Sequence, residues 1–194
     1  MASTAARRLL WGGMDSADHR IIRTPRLVMR PHATADFPAL VALWSDPQVV
    51  RFLGGQPHSE EDSWSRLLRY AGSWALLGFG FWAVLDGDGQ YLGDVGFLEG
   101  RRQGVTGFDG DPEIGWALAT AAQGRGLGQE AVQAALAWGA AHLAPRHRRT
   151  VAMIDPTNAR SIALAARCGF QPAGITRYKD LPRLLFARGW PATD

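Results

Sequence analysis

The chain has 194 residues, 46% of them hydrophobic and 20% charged, with a formal net charge of +3. That length and apolar share fit one globular domain with a real core. They exclude a membrane-spanning helix, because nothing approaches the roughly 18 consecutive apolar residues one needs.

Residues 1–20 carry arginines but no apolar run long enough for a signal peptide, so they read as a flexible tail. The domain is expected over 21–190, with a short tail at 191–194. Cys168 is the only cysteine, which rules out an intramolecular disulfide and makes the cytoplasm the expected compartment.

"RLVMR" (Arg26–Arg30) alternates polar and apolar residues and reads as a strand. Thr34 or Asp36 offers a cap for a helix carrying Phe37, Leu40, Val41 and Trp44, which "SDP" (Ser45–Pro47) ends. A short helical turn follows near Val49–Leu53. "SEEDSWSRLLRYAGSWALL" opens with a serine cap and an acidic first turn, then sets Trp64, Leu67, Leu68 and Ala71 on one face of a helix. "FGFWAVL" and "YLGDVGFLE" flank "DGDG" and predict a hairpin. After a polar, glycine-rich loop (Gly100–Asp111) come a strand at Glu113–Ala119, a glycine bend and a long alanine-rich helix. A strand near Thr150–Ile154, a helix near Asn158–Arg167 and two last strands complete the order. The prediction is a mixed α/β (α+β) sheet of about six to seven strands. "PRHRR" (Pro145–Arg149) is the densest basic patch. It lacks the interleaved aromatics of a base-stacking surface, so it reads as a solvated loop and no nucleic-acid partner is expected.

The bend "QGRGLGQ" (Gln123–Gln129) carries the sharpest chemical signal. It joins a nearly all-apolar strand to a helix with Val132, Leu136, Gly139 and Leu143 along one side. A helix N-terminus there offers free N–H groups and a positive dipole end, and glycine lets backbone approach an anion. Strand, glycine bend and helix together make a phosphate site. The bend has no lysine for a P-loop, and its third glycine comes one residue too early for the dinucleotide fingerprint. A plain glycine turn remains the alternative for this bend taken alone.

Gln123–Gly128 also fits the Q/R-x-x-G-x-G/A signature of the GNAT superfamily of N-acetyltransferases. "TPRLVMRPHATADFPALVALWSDPQVVRFLGG" (Thr24–Gly55), "GDVGF" (Gly93–Phe97) and "DPTNARSIALAARCGFQPAG" (Asp155–Gly174) resemble its RimJ/RimL-like ribosomal-protein N-terminal acetyltransferase branch. The resemblance implies a GNAT-like sheet, mostly antiparallel, splayed where acetyl-CoA binds, with no metal. It places the pantetheine arm beside Trp116, Ala117 and Leu118, and the pyrophosphate on Gln123, Gly124, Arg125, Gly126, Leu127, Gly128 and Gln129. Asn158 and Ser161 would stand near the arm and the sulfur. It further implies an amine acceptor, a protein N-terminus or a small molecule, and the homodimer frequent among relatives.

The expected reaction is direct attack of an amine on the thioester. It needs a neutral amine, an oxyanion donor and an acid for the departing thiolate. Two groups common in the family are missing: Ala165 stands where a tyrosine is frequent, and Met153 where a glutamate base is. Ser161 is the substitute acid, or only a coenzyme contact. Glu113 is the candidate base through water, or an exposed strand-end carboxylate. Asp94, Glu99, His32 and His58 are further titratable candidates. Trp44, Trp64 and Trp74 either line the acceptor pocket or fill the core. An α-amine, with a pKa of about 7.7–8.0, needs less help from a base than a lysine amine at about 10.4. The rival readings are an acyl-CoA-binding sensor without chemistry and an acyltransferase for a bulkier acyl group.

Overall fold

The computed structural model describes residues 18–105, 107–108 and 110–191. The expected tail at 1–20 lies outside the described residues up to position 17, and the C-terminal tail does so from 192 onward.

The strands are β1 (Ile22–Arg23), β2 (Leu27–Pro31), β3 (Phe81–Asp86), β4 (Tyr91–Leu98), β5 (Glu113–Leu118), β6 (Arg149–Ile154), β7 (Gln171–Tyr178) and β8 (Leu181–Gly189). The helices are α1 (Phe37–Ser45), α2 (Pro47–Val50), α3 (Glu60–Leu77), α4 (Leu127–His142) and α5 (Ala159–Arg167). All eight strands join one sheet in the order β1-β2-β3-β4-β5-β6-β8-β7. This corrects the expected six to seven strands. The extra one is the two-residue β1, too short for alternation to reveal, and its pairing with Val28 and Met29 defines it. Every neighbouring pair is antiparallel except β5 with β6.

Local chemistry sets the boundaries. Ser59 caps α3 and forms a reciprocal box with Asp62, and Gly78 ends the helix in a left-handed conformation. The hairpin turn between β3 and β4 is held by the Asp86 carboxylate, which accepts from the N–H groups of Asp88 and Gln90. Asp36 plays a different part from the cap expected of it. A 3₁₀ turn over Thr34–Asp36 precedes α1. The Asp36 carboxylate instead accepts from the Ala33 N–H and from both terminal nitrogens of Arg30.

The sheet has a core on each face. On one side α4 and α5 cover Ile114, Leu118, Ala152 and Ile154. There Trp82 and Trp138 meet edge to face at 5.2 Å, and Trp74 meets Trp82 at 5.0 Å. On the other side α1, α2 and α3 enclose a smaller cluster with Phe81 and Ala117. Trp74, a candidate for the acceptor pocket, is thus packed core.

Two features position the site. First, β5 and β6 share a single register pair, Glu113 with Val151. Beyond it the two parallel strands diverge toward their C-terminal ends, which is the predicted splay. Second, the β7–β8 turn places Lys179 (φ 51°) and Asp180 (φ 61°) in the left-handed region that a two-residue hairpin demands. The Arg177 guanidinium bonds the Asp180 carbonyl at 2.6 Å and braces that turn.

Candidate active site

Alternation along β5 decides which backbone groups face the gap. The Ala119 N–H donates to the Leu92 carbonyl at 2.9 Å, so the odd-numbered residues bond to β4. The Pro112 carbonyl accepts from Val151, so the even-numbered ones face β6. Beyond the single paired position, Trp116 and Leu118 present their backbone to the opening without a β6 partner. The Leu118 carbonyl is occupied by the Gln123 side-chain amide at 2.9 Å. Gln123, assigned from sequence to the pyrophosphate, therefore braces the strand end. Ala117 points its side chain into the opposite cluster.

At the mouth of the gap, Gly124 (φ 76°) and Gly126 (φ 77°) take left-handed backbone, where a side chain is strained. Gly128 has a different reason to be small. A Cβ there meets the Leu118 side chain at 3.2 Å, so glycine lets α4 start close against β5. No side chain caps α4, and its first internal bond is from the Glu130 N–H to the Gly126 carbonyl at 3.1 Å. The N–H groups of Leu127, Gly128 and Gln129 are left over at the positive end of a 16-residue helix. Arg125 is exposed beside them.

Three more guanidinium groups ring the bend, and sequence reasoning missed them all. Arg26 donates to the Arg125 carbonyl at 2.9 Å, Arg160 to Gln123 Oε1 at 3.1 Å and Arg167 to Gln129 Oε1 at 3.1 Å. Arg160 and Arg167 are two turns apart on α5, and that spacing was the available signal. Arg26 comes from the far edge of the sheet. Glu130 holds it there with a 2.6 Å ion pair and also accepts from Thr24. Burial works against the Glu130 charge, but those bonds outweigh it and hold the carboxyl below its ordinary pKa.

Asn158 and Ser161 open α5 across the gap. Asn158 Oδ1 accepts from the Ser161 N–H at 3.1 Å as the helix cap, which leaves only its Nδ2 amide to meet a ligand. Ser161 Oγ accepts from the Trp116 indole N–H at 3.2 Å, so its own O–H is free to donate into the gap. The indole bond was not foreseen, since Trp116 drew attention only for its backbone. Cys168 lies buried at the end of α5, and burial pushes its thiol above the ordinary value, which suits no nucleophile.

The other face of β5 holds the titratable candidates. Glu113 is not the exposed strand-end carboxylate of the sequence reading. It is 6% exposed, and Arg102 grips both its oxygens at 2.7 and 2.9 Å. Asp94 is fully buried and meets four donors. Its Oδ1 faces His32 Nε2 at 2.9 Å and the Tyr91 hydroxyl, and its Oδ2 faces the Trp44 indole at 2.8 Å and the Tyr70 hydroxyl at 3.4 Å. Burial, then the Asp94 charge, raises both tyrosines above their ordinary values, so they stay protonated donors. Four partners fill the acceptor capacity of this carboxylate, which ties β2, α1 and α3 to β4. Trp44 is thereby one of its donors. Trp64 packs edge to face on Phe37 at 5.2 Å and stays 40% exposed. Glu99 pairs on the surface with Arg101.

Comparison with known proteins gives this geometry a family. The profile described as "Acetyltransferase (GNAT) domain" matches residues 26–171. A Bordetella pertussis protein described as a GnaT-family acetyltransferase superposes with a TM-score of 0.76 at 35% identity, covering 87% of this chain and 99% of that one. A curated relative, the N-acetyltransferase p20 of Bacillus licheniformis, is 27% identical over 156 residues, 79% of this chain and 84% of the relative. RimL, a ribosomal L7/L12 α-N-protein acetyltransferase solved with coenzyme A, shares the fold with a TM-score of 0.71 at 19% identity, over 87% and 97% of the two chains. The chain belongs to the GNAT acetyltransferase family.

Proposed function

We propose that this chain is an acetyl-CoA-dependent N-acetyltransferase of the RimJ/RimL-like kind, acting on a primary amine in a ternary complex. The observation that carries the reading is the opening between β5 and β6, with the Trp116 backbone and the Leu118 N–H without a β6 partner and an uncapped α4 N-terminus at its mouth. A linear thioester coenzyme with a pyrophosphate fits that combination of an exposed strand edge and free amides. RimL, solved with coenzyme A, has the same fold.

Acetyl-CoA supplies the activated acetyl group. The residues of the chain supply the rest. The N–H groups of Leu127 to Gln129, with Arg160 and Arg167 alongside, hold the pyrophosphate. The Trp116 or Leu118 N–H faces the gap as the oxyanion donor. The Ser161 hydroxyl, its oxygen already accepting from the Trp116 indole, donates to the sulfur as negative charge builds there. That acceptance polarises the O–H and strengthens it as a donor.

Glu113 and Asp94 are not ready bases in this reading. Glu113 is clasped by Arg102 and Asp94 is saturated. The reaction then relies on an amine already partly neutral near pH 7, which favours an α-amine over a lysine. The test is twofold. Calorimetry with acetyl-CoA is expected to show one site per chain, and a thiol-release assay across an amine panel is expected to show turnover. The buried Ala165 in place of the familiar tyrosine favours one rival, a coenzyme-binding sensor. Binding without thiol release from any amine supports that rival.

A further inference from the structure

The acceptor side of β5 has an unusual lining of charge. Arg66 and Arg69 stand one turn apart on α3, on the side that faces the β7–β8 turn. Arg66 lies flat over the Trp44 ring at 3.4 Å and donates to the Tyr70 hydroxyl at 3.2 Å. Its Nε–H is buried and has no acceptor among the described residues. Tyr70 in turn reaches Asp94, so Arg66 sits directly above the polar floor of this face. From the opposite wall, Tyr178 at the end of β7 receives the Arg102 guanidinium 4.5 Å from its ring centre, with the Lys179 ammonium 5.7 Å away. Arg102 holds Glu113 at the start of β5, which brings the hairpin tip back across the strand. The α3 arginines and the hairpin tip therefore both lie on the face of β5 opposite α4 and α5.

The acids of this mouth do not balance it. Glu113 is taken by Arg102, Asp94 by its four donors and Asp62 by the Ser59 cap. Asp180 shares its turn with Lys179 and offsets that cation. Among the described residues, Arg66 and Arg69 have no carboxylate within ion-pair distance.

We infer that the amine acceptor carries a carboxylate near its amine, and that Arg66 and Arg69 receive it between α3 and the β7–β8 turn. The inference rests on the acetyltransferase reading and narrows its substrate class. Arg66 Nη2 faces His58 Nδ1 at 3.5 Å, which leaves Nε–H as its one unpartnered donor among the described residues, and a guanidinium over an aromatic ring with an unsatisfied N–H suits a planar carboxylate. A polyamine or aminoglycoside meets like charge at the same place. Two sources share the favoured chemistry, a free amino acid and a peptide with acidic residues behind its N-terminus.

The experiment compares four acceptors by thiol release: Ser-Glu-Glu-Ala with an amidated C-terminus, its isostere Ser-Gln-Gln-Ala-amide, free glutamate, and spermidine. At least one carboxylate-bearing acceptor is expected to exceed the neutral peptide about tenfold in kcat/KM, through KM, with spermidine lowest. The peptide and glutamate arms tell the two sources apart. Arg69 is exposed on α3, and Arg69→Glu is expected to erase the preference while leaving acetyl-CoA affinity unchanged. Turnover of both the acidic peptide and glutamate no faster than that of the neutral peptide, or spermidine as the best acceptor, overturns the inference and leaves the acetyltransferase reading standing. Loss of acetyl-CoA binding in the unaltered protein, or no thiol release from any acceptor, defeats that reading instead. Calorimetry of the two peptides and glutamate with coenzyme A present then decides the carboxylate preference by itself, and affinities for the acidic peptide and glutamate no higher than for the neutral peptide overturn it.

Discussion

In the proposed reading, the two sides of β5 solve recognition by different means. On the gap side the binding groups are backbone: a strand edge at Trp116 and Leu118, and the amides of Leu127 to Gln129. On the other side they are side chains from three separated segments, with Arg66 and Arg69 on one helix, Arg102 in a loop and Lys179 in a turn. Backbone recognition is local in the sequence and tolerates change at most positions, provided the glycines remain. Side-chain recognition is assembled by the fold and is free to differ between relatives. The comparison teaches where a shared reaction and a private specificity are each written.

The largest effect expected concerns the floor that separates the two. Asp94 receives four donors in a fully buried place. Asp94→Asn sets an amide N–H₂ against some of those donors and removes the charge they were arranged around. We expect a stability loss of about 3–5 kcal/mol, measured by urea unfolding. A loss below about 1 kcal/mol would show that the network is loosely held, and the face would then be mobile rather than prearranged.

Next comes the gap side. Gly126→Glu puts a carboxylate at the uncapped helix end, at a backbone angle (φ 77°) that strains any side chain. Acetyl-CoA affinity is expected to fall at least about 100-fold by calorimetry, the loss of a few charge-assisted bonds. Folding stability is expected to fall by about 1–2 kcal/mol, the cost of the left-handed backbone, since the Cβ direction itself has only the Arg26 Nη2 nearby, at 3.4 Å. Unchanged affinity would move the pyrophosphate off this bend.

These two regions also mark what the sequence disclosed. The glycine bend, the α4 helix and the capping box at Ser59 were legible because each is a local pattern with a local cause. The Asn158–Ser161 pair was legible by resemblance, and its cap bond is local too. The Asp94 network was not, although Asp94 and His32 were both singled out. Nothing in the sequence across their 62-position separation says that they meet at 2.9 Å. Glu113 misled for the same reason: a strand-end carboxylate looks exposed until the loop brings Arg102 onto it. The arginines around the bend arrive from β2 and α5, and only the fold reveals a ring.

A smaller effect sharpens the chemistry inside the gap. Ser161→Ala removes the hydroxyl but keeps the Asn158 cap, which uses the Ser161 backbone N–H. We expect kcat to fall about tenfold with acetyl-CoA affinity nearly unchanged, the pattern of an interaction made in the transition state. Trp116→Phe removes the indole donor to Oγ and is expected to give a weaker version of the same change. Should affinity fall while kcat holds, Ser161 is a coenzyme contact and the departing thiolate leaves without its help.

The smallest effect lies at the acceptor side's outer edge, where Asp36 sits in the ion pair with Arg30 at 2.7 Å. Burial opposes the Asp36 charge, but the Arg30 guanidinium and the Ala33 N–H outweigh it and lower the carboxyl below its ordinary pKa of 3.8. A carboxyl lowered by folding binds fewer protons in the folded chain than in the unfolded one. Its contribution is therefore whole above the unfolded pKa and is lost as pH falls through the folded one. At neutral pH the pair contributes fully, and below about pH 4 it fades. Arg30→Met takes away the main partner and leaves the methylene contacts in place. The variant is expected to be less stable at pH 7 and to lose less on acidification, so that the two unfolding curves converge at low pH. Parallel curves would mean that Arg30 anchors the entry to α1 by packing alone, and that the charge on Asp36 is held by the Ala33 amide without it.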